Sequence, residues 1–227
     1  MDNAERWLEK TLHYRFQDAE LFAKALTHRS AASRNNERLE FLGDAVLDFV
    51  ISDAVYRLRP EADEGDLSRL RASLVKDTSL AALASDLGVG DYLVLGSGER
   101  KTGGHRRESI LADALEALFG AVFLDTGFEA ARQMIEFVFE QRLAELPDAR
   151  DLRDSKTQLQ EWVQARSLSL PVYELSKVTG KDHKQRFAVT CTIPELSQTT
   201  EGDSSSRRKA EQEAAKRMLL VLTGEQP

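Results

Sequence analysis

Apolar residues recur every three or four positions through most of the first 146 residues, the spacing that lines one face of an α-helix. The pattern predicts helices over 18–28, 37–58, 66–75, 78–87, 108–124 and 128–145, the first opened by Asp18, an N-cap type residue. Pro60 limits the second helix, and nothing here alternates with the period of two that a half-buried strand requires. Between Leu95 and Glu108 the periodicity lapses. That loop carries four glycines (Gly96, Gly98, Gly103, Gly104) and the cations Arg100, Lys101, Arg106 and Arg107 beside His105.

The texture changes after Leu146. Pro147 stops the preceding helix, and the charged run that follows is poor core material. Residues 155–166 read as helical, 172–179 and 185–193 as alternating β-branched strands, 196–200 as a weaker strand, and 205–222 as a final helix. The order α-β-β-β-α predicts a small α+β domain with both helices on one sheet face. The expected organisation is an all-α domain over 1–146, a flexible linker over 147–153 and the α+β domain over 154–223.

Composition narrows the class. The chain has 227 residues, 41% hydrophobic and 30% charged, as soluble globular proteins do. The one cysteine, Cys191, excludes an internal disulfide framework and any multi-cysteine metal site. It sits among core positions of a strand and reads as a small buried hydrophobe. No apolar run reaches membrane-spanning length and the first residues are polar, so a cytoplasmic protein is expected, with no membrane partner. The net charge of −7 argues against a nucleic-acid partner, but its distribution weakens that argument. Residues 1–150 carry 19 Lys and Arg against 27 Asp and Glu, whereas residues 151–227 carry 12 against 11. Five of those twelve cations lie between Arg207 and Arg217.

The carboxylates are the first candidates for chemistry. On a helix, Glu37, Glu40, Asp44 and Asp48 share one face, and Leu39, Leu42, Val46 and Val50 form the opposite, buried one. Like charges so spaced repel. The helix over 108–124 is apolar almost all round, yet it carries Asp113 and Glu116 three apart, with no Lys or Arg within it to pair with them. Buried carboxylates without partners are costly. A divalent cation shared with Glu40 and Asp44 relieves both problems, and an all-oxygen set suits Mg²⁺ or Mn²⁺. His13, His28, His105 and His183 are too scattered to join as zinc ligands. Such a site most often handles phosphates. Phosphodiester hydrolysis, a structural ion site and pyrophosphate hydrolysis all remain open on these residues alone. Phe41 lies beside the acidic face, where it is either a packing residue or a contact buried by another chain; Gly43 is tolerable there if it permits close helix approach.

These residues also carry a resemblance. The stretch Asn36-Glu37-Arg38-Leu39-Glu40-Phe41-Leu42-Gly43-Asp44 resembles the signature of the ribonuclease III family. Residues 64–72, Glu64 to Ala72, and 113–117, Asp113 to Ala117, resemble its two other acidic motifs, in the right order. The resemblance implies an all-α endonuclease domain and a homodimeric, Mg²⁺-dependent endonuclease for double-stranded RNA, with Mn²⁺ able to substitute. It implies 5′-phosphate and 3′-hydroxyl ends, and work on ribosomal RNA precursors and other structured transcripts. Carried over by position, Glu40, Asp44, Asp113 and Glu116 are the metal shell, with Asp44 and Glu116 as the catalytic pair. Glu37 and Glu64 are auxiliary acids, and Phe41 is a dimer contact.

The second domain supplies a matching surface. Its first helix offers Thr157, Gln158 and Glu161, short-range hydrogen-bonding groups suited to the wide RNA minor groove and its 2′-hydroxyls. His183 lies in the turn between two strands. Ser206 precedes Arg207, Arg208 and Lys209 in the first turn of the last helix, where cations oppose the helix dipole unless an anion is held there. Together these elements resemble a double-stranded RNA-binding domain, with Ser204 and Glu211 departing from its usual glycine and lysine. The basic loop before Glu108 is a further candidate RNA contact. The competing reading is a duplex-RNA binder that does not cleave; four carboxylates on one face, two of them on a nearly apolar helix, favour the enzyme.

Overall fold

The computed structural model describes residues 2–181 and 184–224, which fall into two compact units, 1–149 and 150–227. The first unit holds eight helices among its described residues: α1 (Asp2–Leu12), α2 (Ala19–Ala25), α3 (Glu37–Leu58), α4 (Glu64–Val75), α5 (Asp77–Asp86), α6 (Ser97–Lys101), α7 (Glu108–Thr126) and α8 (Phe128–Ala144). α7 is its axis, buried along Ile110–Ala112, Ala114, Leu115 and Ala117–Val122. A helix apolar on every side is stable only when neighbours surround it; α2, α3, α5 and α8 all pack on it.

α3 contributes the largest share of that cover. Its buried stripe is Leu39, Val46, Leu47, Val50, Ile51 and Val55. The two helices cross at glycines. A Cβ on Gly43 would lie 1.8 Å from the Glu116 carbonyl oxygen, and one on Gly120 would lie 2.1 Å from the Leu39 carbonyl oxygen. Backbone therefore meets backbone, closer than any side chain permits.

Local signals set the helix ends. Asp18 accepts from the Glu20 N–H at the start of α2, and Asp63 accepts from the Asp66 N–H at 2.7 Å at the start of α4. Gly127, at φ +94°, turns α7 into α8. Asp125 takes hydrogen bonds from the Tyr14 hydroxyl (2.6 Å), the Gln17 N–H (3.0 Å) and the Asp18 N–H (2.8 Å), tying the segment before α2 to the end of α7. α1 precedes the first helix that the pattern delimits. Its Trp7 stacks on Tyr92 at 4.5 Å and donates to the Leu87 carbonyl at 2.8 Å.

The second unit is α9 (Ser155–Gln164), β1 (Val172–Thr179), β2 (Arg186–Ile193), β3 (Gln198–Ser204) and α10 (Arg207–Thr223), with the antiparallel sheet in order β1-β2-β3. Both helices cover one sheet face: Leu159 and Val163 from α9 and Ala214, Ala215 and Met218 from α10 enclose Cys191 and Ile193. Cys191 is fully buried, as its place among core positions implied. β3 starts two residues later than the pattern suggested, because Pro194 opens a short 3₁₀ turn over Pro194–Leu196 first. Gly202 lets α10 approach β3: a Cβ there would lie 2.2 Å from the Ala210 carbonyl oxygen.

Gly43→Ala forces α3 and α7 apart and is expected to destabilise the first unit by about 3 kcal/mol, the upper range for overpacking. Chemical denaturation checks this; a loss under about 0.5 kcal/mol would mean that the crossing tolerates a methyl group.

Candidate metal centre and nucleic-acid interface

The glycine crossing places α3's first turns beside the middle of α7. Asp113 and Glu116 are the two partly open side chains in α7's buried stretch, and Glu40 faces them from α3. One carboxylate oxygen each from Glu40, Asp113 and Glu116 lie within 4.8 Å of one another.

The electrostatics record the crowding. Burial, then the charges of Asp44, Glu40, Asp113 and Asp77, push Glu116 up to about 8. Burial, then Asp113 and Glu37, push Glu40 up to about 6, against the pull of Arg29. Asp113 is raised by burial and by Asp77, with His28 and Arg29 opposing. Asp44 is raised by burial and by Asp48. Carboxyls so raised mark a place where a divalent cation would relieve the repulsion. The all-oxygen donor set fits Mg²⁺ or Mn²⁺.

Among the sequence candidates, the structure brings three together and sets others around them. Asp44 is exposed and outside the 4.8 Å group, yet its charge is the largest acting on Glu116. Glu37 is exposed and pairs with Arg29 at 3.4 Å. Glu64 stands elsewhere within this unit. It opens α4, accepts from the Ser68 hydroxyl at 3.3 Å, and lines a recess of about 170 Å³ with Ser52, Val55, Tyr56, Leu67 and Arg71. Ser52 is twelve residues beyond Glu40 on α3, about 18 Å along the axis. Phe41, next to Glu40, is 80% exposed.

Three neighbours of the acids had no signal in the sequence. Asp77 opens α5, where an acid is favoured by the helix dipole whatever lies opposite. His28 and Arg29 come from the segment after α2. That segment is held by a buried Asn36, whose N–H donates to the Thr27 carbonyl (2.9 Å) while its carbonyl accepts from Leu39 and Glu40. The His28 Nδ1 lies 2.8 Å from the Ser30 hydroxyl.

The second unit places its candidates at the starts of α9 and α10. Asp154 caps α9 by accepting from the Thr157 N–H at 2.9 Å, and Ser206 caps α10 by accepting from the Lys209 N–H at 3.3 Å. Thr157 is exposed; the Gln158 amide donates to the Arg153 carbonyl at 2.9 Å, and Glu161 accepts from Arg153 at 2.5 Å. Arg207 pairs with Glu211 at 3.0 Å, whereas Arg208 and Lys209 are exposed and make no ion pair among the described residues. His183 lies outside the described residues. In the basic loop of the first unit, Arg107 is tied to Glu99 at 2.6 Å, and Arg100, Lys101 and Arg106 are exposed.

Comparison with known proteins follows the same division. Residues 18–143 match a family model described as Ribonuclease-III-like, and residues 155–222 match the double-stranded RNA binding motif. A protein named Ribonuclease 3 from Alkalilimnicola ehrlichii is 53% identical over 215 residues, 95% of this chain and 94% of its own. One of the same name from Pseudomonas aeruginosa is 53% identical over 222 residues, 98% of this chain and 97% of its own. The solved nuclease domain of ribonuclease III from Campylobacter jejuni is 46% identical with a TM-score of 0.58, covering 60% of this chain and 94% of that one.

The raised carboxyls have a measurable consequence. A group that binds its proton more tightly when folded favours the fold at low pH and loses that contribution as pH rises through its folded pKa. Glu116 goes from an ordinary 4.5 to about 8. In chelator, the stability of the chain relative to Glu116→Gln is therefore expected to fall from about pH 5 to about pH 8. Mg²⁺ is expected to raise the melting temperature more at the alkaline end. Thermal melts of both proteins decide it; a pH-independent difference would mean that Glu116 is not perturbed.

Proposed function

The chain belongs to the ribonuclease III family, and from that premise we propose that it is an Mg²⁺-dependent endonuclease for double-stranded RNA, leaving 5′-phosphate and 3′-hydroxyl ends. The observation that carries this reading is the meeting of Glu40, Asp113 and Glu116 in a half-buried group, on a chain that continues into a duplex-RNA-binding fold. Glu40, Asp113 and Glu116 hold the cation, and Asp44 adds the fourth acid from one turn further along α3. Bound there, Mg²⁺ supplies Lewis acidity at the scissile phosphate, and Mn²⁺ serves in its place. The carboxyl of Glu116, pushed up to about 8, would release its proton on binding a cation there. Asp44 and Glu116 orient the attacking water. Water oxygen bonds to phosphorus, the bond to the 3′ oxygen breaks, and that oxygen takes a proton.

The second unit binds the duplex. Thr157, Gln158 and Glu161 meet a minor groove, His183 is assigned to the next one, and Ser206, Arg208 and Lys209 meet the phosphates between. The work is cytoplasmic, on precursors of ribosomal RNA and other structured transcripts. No described helix is long and apolar enough to cross a membrane.

Two copies act together. Phe41, Phe49 and Tyr56 leave an exposed apolar stripe along α3, and the recess between α3 and α4 is lined by Val55, Tyr56 and Leu67. A knob and a hole on one surface suit an isologous two-fold contact, in which each Phe41 enters the other copy's recess. Such a dimer presents one acidic site to each strand.

With a long labelled duplex and a matched single strand, cutting is expected of the duplex alone and only with Mg²⁺ or Mn²⁺. Glu116→Ala is expected to lower the rate at least about 100-fold, the scale of losing one group that stabilises developing charge, while gel-shift binding persists. Tight duplex binding without cutting under any divalent ion would favour the non-cleaving binder instead. Phe41→Glu is expected to halve the particle mass in sedimentation with the helical content unchanged; an unaltered mass would remove Phe41 from the interface.

A further inference from the structure

The duplex-binding face of the second unit is less basic than its sequence. Glu211, one turn into α10, is only 14% exposed at its side chain. One of its oxygens lies 2.8 Å from the Lys156 ammonium, the other 3.0 Å from the Arg207 guanidinium. Lys156 is held further: its ammonium stands 4.3 Å over the Tyr173 ring, and its backbone N–H donates to the Gln212 side chain at 3.1 Å. The Gln212 amide in turn donates to Asp154, the cap of α9. Glu211 thus sits where the starts of α9 and α10 meet, and its partner Lys156 lines a recess with Thr157, Tyr173, Arg208 and Gln212. Lys156 first, then Arg207, keep its carboxyl below the usual range and so ionised.

From this geometry we infer that Glu211 sets the affinity of the chain for duplex RNA by withholding Lys156 and Arg207 from phosphate, leaving Arg208 and Lys209 as the cations that engage it. The inference rests on the duplex-RNA reading above and divides the basic run into two roles. A phosphate approaching Lys156 competes with a carboxylate already in contact and shielded from solvent, where salt screens little. Arg207 is held by a single, more exposed pair four residues along the helix, a weaker restraint. Even so, any phosphate it meets shares the cation with Glu211. Arg208 and Lys209 carry no such competitor. Each cation that neutralises a phosphate adds about 0.9 to the slope of log affinity against log salt, so the division can be counted.

The test uses the full chain, a duplex too short for two molecules, and chelator to prevent cutting. Glu211→Gln is expected to tighten binding about fivefold at about 0.1 M salt and to steepen the salt slope by about 2, the increment for two freed cations. Arg208→Gln is expected to flatten the slope by about 1, and Arg207→Gln to leave it unchanged. Glu211→Gln with unaltered affinity and slope, or with weaker binding and a native melt, overturns the inference while leaving the duplex-RNA reading intact. If Glu211→Gln unfolds the second unit, the comparison of Arg207→Gln with Arg208→Gln decides: equal flattening overturns the inference. An unmodified chain that binds no duplex overturns the functional reading and this inference together.

Discussion

The contact between Gly43 of α3 and Gly120 of α7 is the constraint on which the rest of the first unit depends. Helices packed through ordinary side chains keep their axes about 8–10 Å apart. Here the space a Cβ would need is taken by the facing backbone on both sides. The site's side chains are short for the span they bridge. Glu40 and Glu116 lie one turn or less from the two glycines, so the crossing that removes the Cβ atoms also brings the carboxylates together. Packing and chemistry are set by the same pair of residues. Moving the helices apart would relieve the repulsion among the acids, and only the burial of α7 against its neighbours opposes that movement.

That opposition explains the charge state. Carboxyls forced together in a partly buried place bind protons more tightly, and burial with the neighbouring charges pushes Glu116 and Glu40 above the ordinary range. A cation of the right size relieves the same strain without protons. The arrangement is therefore poor as a structural feature and good as a binding site. Asp44 and Asp77 sharpen this, since each adds negative charge around Glu116 while neither joins the tight group. His28 and Arg29 restrain it from the other side, which keeps Asp113 and Glu40 from being still harder to ionise.

Much of this was legible in the sequence wherever the signal was local. Asp18 and Ser206 cap the helices that follow them. The apolar circumference of 108–124 marked a buried helix, and the two acids on it marked something unusual. The α-β-β-β-α order followed from alternation and turns. What was not legible is contact between distant segments. Asp77 at a helix start has a sufficient local reason to be there, so its charge on Glu116 is invisible from its neighbours in the chain. His28 and Arg29 reach the acids only because Asn36 ties their segment to α3. Glu64 shows the converse: its motif is plain, yet the fold puts it on a recess more than three helical turns along α3 from Glu40. The start of β3 was missed for a local reason, since Pro194 permits a 3₁₀ turn before the strand.

The two units meet the same physical difficulty from opposite sides. Their common ligand is a polyanion, and the first unit, with 19 cations against 27 acids over residues 1–150, repels it. A metal at Glu40, Asp113 and Glu116 would neutralise that repulsion only at the point of chemistry. Attraction over longer range has to come from exposed cations without acidic partners, which among the described residues include Arg100, Lys101 and Arg106 in the first unit and Arg208 and Lys209 in the second. The ion pairs of Arg107, Arg153, Lys156 and Arg207 withdraw four further cations from that role. Recognition of a duplex by shape and short-range contact suits a chain whose first unit is acidic. For an enzyme that has to release two cut ends, weak electrostatic hold is an advantage, because a product bound through many phosphates leaves slowly.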